Sequence, residues 1–181
     1  NEAFAYAWHK RLVEQMLALS QLESLRGLPD QQPVPLLALT EQVLGQHAAR
    51  LEQRGLRLHW LQRDGTPVAG DAQRLALALS NLLVNAMAWA PPNSVLDLCV
   101  QPLTAPPRLR WSLRDRGPGV PDYALPQLGQ RFFSTTEPVS GRKGSGLGLA
   151  IVRQVVALHG GQLRFEPAQP GLRVVIELPL A

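Results

Sequence analysis

Only one cysteine, Cys99, occurs in the chain, so no disulfide can close within it. Its neighbours Val95, Leu96, Leu98 and Val100 predict a small hydrophobe in a core, consistent with a cytosolic setting. No apolar run approaches the ~20 residues needed to cross a bilayer. No signal-peptide pattern is visible either, so the chain is expected to be soluble and not membrane-inserted. Lysine is scarce: Lys10 and Lys143 are the only two, and most of the positive charge is arginine. A dense basic run interleaved with aromatics is also missing, so the net charge of +4 does not point to nucleic acid. Arg108, Arg110 and Arg114 instead alternate with Leu109, Trp111 and Leu113, the pattern of a strand with one wet face.

With 45% hydrophobic and 18% charged residues the composition is that of a globular protein, and 181 residues suffice for one compact domain with an appendage. Neither proline nor glycine interrupts residues 2–25, where Ala5, Trp8, Leu12, Leu19 and Leu22 recur at three-then-four spacing and Gln15 breaks the stripe. This predicts a bundle helix over 1–28. Val13, Met16 and Leu17 widen its apolar surface, so a partner helix is expected, from a second copy or from the chain's own domain. Residues 29–35 hold three prolines in seven positions of linker composition, and the main domain is expected over 36–181.

Within that domain the periodicity predicts a helix over 36–53, a strand at 56–60, a turn at Asp64-Gly65 and a short strand at Val68. Asp71 is placed to cap a helix with Leu75, Leu79, Leu82 and Ala86 as its core stripe, closed by Pro91-Pro92. Strands follow near 95–103 and 109–114, and after the last helix near 162–165 and 172–178. The fold class expected is α+β: a two-layer sandwich, a mixed sheet covered on one face by helices and preceded by the long helix.

Gly144-Ser145-Gly146-Leu147-Gly148-Leu149 reads as a phosphate-binding loop opening the apolar helix at 149–156. The dinucleotide and Walker patterns do not apply, because both need a strand directly before the glycines and the Walker loop ends in Gly-Lys-Ser/Thr. Here residues 134–143 precede them, polar and broken by Pro138 and Gly141, which predicts a mobile lid. Asn81 and Asn85 are four apart, so on a helix they share a face and both can reach one site. An amide oxygen suits Mg²⁺, which takes few protein ligands beside water and phosphate oxygens. Asp115 follows a strand and could accept from an exocyclic amine, Gly117 and Gly119 permit close backbone approach, and Trp89 could stack on a base. Arg142 and Lys143 could bring cationic charge to phosphates.

In this order, Asn81-Leu82-Leu83-Val84-Asn85-Ala86, Asp115-Arg116-Gly117-Pro118-Gly119, Phe132-Phe133 and Gly144 to Gly148 resemble the N, G1, F and G2 boxes of sensor histidine kinases. The resemblance covers roughly residues 33–181. It implies a GHKL (Bergerat-type) ATP-binding fold, ATP and Mg²⁺ as cofactors, Asn85 at the metal, Asn81 beside the phosphates and Asp115 on adenine. Residues 11–24 resemble the end of the second helix of the dimerisation and phosphotransfer hairpin. A homodimer through that helix, a response regulator as partner, and a place as the cytoplasmic part of a bacterial inner-membrane protein are implied as well. The chain departs from the family at Ala88 and Trp89, where a basic residue and a tyrosine are usual, which puts one phosphate contact in doubt. Residues 131–134 and 141–152 look most like the CreC branch. None of His9, His47, His59 or His159 has a phosphoacceptor context. Gyrase-type and chaperone ATPases share the fold but carry a glutamate where this chain has Asn81, and an amide cannot act as general base. Serine-directed anti-sigma kinases and a non-catalytic nucleotide sensor are the other readings.

Overall fold

The computed structural model describes residues 1–138, 140–141 and 143–181. Asn1 caps the first helix, α1 (Glu2–Glu23), by accepting the Ala3 N–H at 3.2 Å. Only the second half of its stripe is buried: Leu19 and Leu22 enter the core, Leu12 and Ala18 pack on it, and the neighbour is the last helix of the same chain. Of the two partners expected for α1, the chain's own domain is the one observed. Tyr6, Val13 and Leu17 remain exposed.

The segment 29–35 is not wholly a linker, because β1 (Gln32–Val34) lies within it and pairs antiparallel with β3 (Val68–Gly70). Val34 and Val68, paired side by side, are both fully buried, and that burial anchors the segment. The single helix expected over 36–53 is two, α2 (Leu36–Gln46) and α3 (Ala48–Gln53), broken at His47. The His47 imidazole sits 3.0 Å from the Ser80 hydroxyl, and Gly45 beside it weakens helix continuity. β2 (Arg57–Arg63) does not form a hairpin with β3; it pairs in parallel with β4 (Val95–Thr104).

β5 (Pro107–Arg114), β6 (Gln162–Pro167) and β7 (Leu172–Pro179) complete a five-stranded mixed sheet of order β2-β4-β5-β7-β6. Alternation sends Leu98, Trp111, Leu113 and Ile176 to one face, where α2, α4 (Ala72–Trp89) and α5 (Gly148–Leu158) cover them. The indole N–H of Trp111 donates to the Thr40 hydroxyl at 3.1 Å, and that hydroxyl donates to the Leu36 carbonyl at 2.7 Å, so the one polar atom of the largest core side chain is satisfied. The α+β two-layer sandwich is therefore the observed fold.

The opposite face carries Arg110 and Arg164 on Glu177, and Arg116 and His59 on Asp97. Burial opposes ionisation of Asp97, but hydrogen bonds from Arg116 and His59 outweigh it and hold the carboxyl below its usual value. Cys99 is buried on this face beside Asp97 and not in the hydrophobic cluster under the helices: strand alternation puts it on the opposite side from Leu98 and Val100.

His159, after α5, ties the last helix to the start of α4. Its Nδ1 donates to the Val155 carbonyl at 2.7 Å, so Nε2 is the acceptor for the Asp71 N–H at 3.1 Å. Burial holds this imidazole below the ordinary histidine value of 6.5. A depressed histidine stabilises the fold above the unfolded value and loses that contribution as pH falls through and below it. Denaturant unfolding at pH near 7.5 and near 5.5 is expected to give a lower midpoint at the acid value. The same drop should be smaller in His159→Gln, which isolates this group from His47, also depressed by burial and by Arg50. An equal drop in both proteins would remove His159 from the account.

Candidate active site

Asp71 begins α4 by accepting the Arg74 N–H at 2.8 Å, and Leu75, Leu79, Leu82 and Ala86 turn that helix's apolar stripe to the core. Asn81 and Asn85 are left half-buried at the edge, as their spacing predicts. The Asn81 amide nitrogen donates to the Leu77 carbonyl at 2.9 Å, which fixes the side chain and turns Oδ1 toward Gly148, the first residue of α5. A Cβ on Gly148 would stand 2.9 Å from that oxygen, so only glycine lets the two helices approach this closely.

Asp115 leaves β5 buried, at 5% exposure. Its carboxylate accepts the Gly117 N–H at 2.8 Å, and its own N–H donates to the Leu172 carbonyl on β7. Burial pushes its carboxyl above the usual value, partly offset by the N–H groups of Gly117 and Leu172. Gly117 packs its α-carbon against the carbonyl of Trp89, so its close approach is to the end of α4.

The described residues of the lid make a few contacts among themselves and with the glycine loop. Thr136 and Lys143 form an antiparallel bridge, the Gly141 N–H donates to the Glu137 carbonyl, and the Ser134 hydroxyl donates to the Gly144 carbonyl at 2.9 Å. The turn residues that rule out a long strand supply this narrow one. Arg142 lies outside the described residues. In the glycine loop, Gly146 has φ +73° and its carbonyl accepts the Phe132 N–H at 3.1 Å, which seats the loop on the Phe132-Phe133 pair. Leu147 is 1% exposed and buried in the core, so it anchors the loop from behind.

These pieces surround one cavity of about 420 Å³. Asn81, Asn85 and Trp89 line it from α4, Asp115 and Gly119 from the segment after β5, and Lys143, Gly144, Ser145, Gly146 and Gly148 from the lid and loop. Of the described residues expected at the site, Gly117 and Leu147 alone are not in the wall. Three stretches separated in sequence thus converge, leaving an aromatic and a carboxylate at one part and glycine N–H groups at another. Among the described residues no group of three His, Cys, Asp or Glu side chains could hold a metal. The Asn85 amide oxygen fits a hard cation that takes most of its ligands from phosphate and water.

Sequence reasoning missed several walls. Leu172 reaches the cavity from β7, and Arg50 and Arg54 from α3 and its end. Helix α1 contributes Trp8, Arg11 and Gln15. The Ser145 hydroxyl donates to Gln15 Oε1 at 2.6 Å while accepting the Leu147 N–H at 3.2 Å. The signal for this was present: Gln15 is the polar residue that breaks the apolar stripe of α1.

The sequence pattern of histidine kinase-, DNA gyrase B- and HSP90-like ATPases matches residues 70–181. The sensor protein QseC of Escherichia coli strain K12 is 36% identical over 167 residues, covering 89% of this chain and 34% of QseC. The kinase/phosphatase MprB of Mycobacterium sp. strain KMS is 43% identical over 107 residues, 59% of this chain and 20% of MprB. The chain thus spans about a third or less of the length of these relatives. Among solved structures, a mycobacterial sensor histidine kinase MprB superimposes with TM-score 0.71 at 33% identity, over 83% of this chain and 98% of that one. Full-length ShkA, solved in complex with AMPPNP, gives TM-score 0.79 at 26% identity over 94% of this chain and 35% of its own. With the asparagine pair, the buried aspartate and the glycine loop gathered on one cavity, these likenesses have one meaning: the chain belongs to the histidine kinase-, DNA gyrase B- and HSP90-like ATPase family, as the ATP-binding catalytic domain of a sensor histidine kinase.

Proposed function

We propose that this chain binds Mg-ATP in the cavity between α4, α5 and the lid and delivers the γ-phosphoryl group to a histidine outside residues 1–181, for relay to a response-regulator aspartate. The observation that carries the reading is the convergence of Asn81, Asn85, Asp115 and the glycine loop on that one cavity. The AMPPNP bound by ShkA, whose fold this chain shares, supports it.

Ionised Asp115 accepts from the exocyclic amine of adenine, and Trp89 and Leu172 offer flat and apolar surface to the ring. Backbone N–H groups of the loop and the N-terminus of α5 point at the phosphates, and Lys143 adds charge from the lid. Asn85 would hold Mg²⁺, which when bound neutralises phosphate charge and orients the transferring group. Asn81, its amide fixed by Leu77, orients a phosphate oxygen or water; it cannot take a proton, so transfer is favoured over hydrolysis. In the transfer the bond from γ-phosphorus to its bridging oxygen breaks, a phosphorus–nitrogen bond forms on the acceptor imidazole, and ADP leaves. The exposed Tyr6, Val13 and Leu17 on α1 give a homodimer its surface, residues 1–28 acting as half of the dimerisation hairpin ahead of the catalytic domain at 36–181. A bacterial inner-membrane anchor outside this chain completes the reading. One observation favours a non-catalytic nucleotide sensor instead: Ala88, uncharged, faces the cavity.

Calorimetric titration with ATP, with and without Mg²⁺, tests the core of this. Binding in the micromolar to low millimolar range, strengthened by Mg²⁺ and with the Mg²⁺ gain reduced in Asn85→Ala, is expected; no heat at millimolar nucleotide would end the proposal. Asp115→Asn should weaken ATP about tenfold, the worth of one charge-assisted hydrogen bond, and narrow the preference for ATP over GTP. Because burial raises the Asp115 carboxyl, acidification should weaken adenosine binding in the wild type earlier than an ordinary carboxylate would, and not in Asp115→Asn. A retained preference for ATP in that variant would remove Asp115 from adenine recognition.

The lid gives a separate test. Amide exchange across residues 134–146 should slow on adding Mg-ATP, and Arg142→Ala with Lys143→Ala should reduce affinity for ATP more than for adenosine. Equal exchange in both states would mean that the glycine backbone alone holds the phosphates.

A further inference from the structure

An anionic polyphosphate needs cations around it, yet the wall that α4 presents, Asn81, Val84, Asn85, Ala88 and Trp89, has none. The helix before it does. Arg50 lies on α3 and Arg54 directly after it, four residues apart and so on one face, and both line the cavity. Two contacts lay α3 alongside α4: the His47 imidazole is 3.0 Å from the Ser80 hydroxyl, and Arg54 Nη2 donates to the Ala90 carbonyl at 2.9 Å. Ser80, Val84 and Ala88 are successive positions of one α4 stripe, and the short side chain at 88 leaves the two guanidiniums open to the cavity.

We propose that Arg50 and Arg54 are nucleotide-binding residues, supplying from α3 the positive charge for the α- and β-phosphates that α4 lacks. Two observations carry this. Arg50 makes no ion pair among the described residues, whereas Arg110, Arg116 and Arg164 on the sheet's open face are each matched to a carboxylate. Arg54 keeps only one guanidinium nitrogen on Ala90; its buried Nε has no hydrogen-bond partner among the described residues. Its Nη1 also makes no hydrogen bond among the described residues, and a guanidinium, always charged, can turn such a donor on a phosphate. The pair rests on the proposed function and refines it, for it assigns the phosphate end of the same site.

The test is titration of ATP, ADP and adenosine into the 181-residue chain and its variants. Arg50→Ala, exposed and free of structural bonds, and Arg54→Gln should each weaken ATP and ADP about tenfold while adenosine changes little. Adding Ala88→Lys to the double variant should restore most of the ATP affinity, which a purely structural role for Arg54 at the end of α4 would not permit. Variants that bind ATP as the wild type does, or that lose ATP and adenosine equally, overturn the assignment while the function stands. A wild type that binds no adenine nucleotide overturns both.

Discussion

The contact between α4 and α5 at Asn81 and Gly148 is the constraint on which the site depends. Both helices bury an apolar stripe on one sheet face, so their separation is set by what stands between them. With a side chain at 148 the start of α5 would move outward from the Asn81 amide. The glycine loop would then leave its seat on Phe132, and Leu147, buried behind it, would leave the core. The glycine-loop end of the cavity is thus held by hydrophobic burial on one side and a missing methyl group on the other. Asp115 is held independently, through the β5–β7 ladder and the Leu172 carbonyl. Because both ends are built on the sheet and its covering helices, the distance between Asp115 and the glycine loop is set by the core, an arrangement that lowers the ordering cost of binding.

Much of this was legible in the sequence because the relevant signals are local. The cap at Asp71, the four-residue spacing of the asparagines, the alternation in β5 and the glycine run each follow from backbone geometry within a few residues. What was not legible depends on pairing at a distance. The parallel match of β2 to β4 leaves β3 free to pair with β1, so a segment rich in proline became partly a strand. Nothing near Pro33 could reveal that Val34 would be buried against Val68. Likewise Cys99 sits in an apolar run that reads as core, but a strand in this sheet has two faces, and the other is covered by ion pairs on Asp97 and Glu177.

Helix α1 makes the same point from the side of the site. Its three-then-four stripe predicts burial correctly for Leu19 and Leu22, and the partner, α5, is the helix that the glycine loop opens. The docking places Trp8, Arg11 and Gln15 on the cavity, with Gln15 joined to Ser145 in the loop itself. A helix whose sequence speaks only of packing therefore contributes to the cavity wall, and its bond to the glycine loop comes from the residue that fits the packing pattern least.

Charge is divided between the two faces of the molecule in a way that a net value of +4 conceals. On the open sheet face the arginines are matched: Arg110 and Arg164 to Glu177, Arg114 and Arg116 to Asp97, Arg173 to Glu166. Five arginines there share three carboxylates, so the pairing leaves that face a positive excess of its own. Around the cavity it is the pairing that differs, for Arg11, Arg50, Arg54 and Lys143 enter no ion pair among the described residues, while Asp115 is held by backbone N–H groups and Glu137 also lines the wall. A concave, partly apolar wall focuses the field of such cations into the cavity. Unpaired cations, glycine N–H groups and a helix N-terminus thus share one cavity, so electrostatic attraction and backbone geometry would act there on the same anionic atoms.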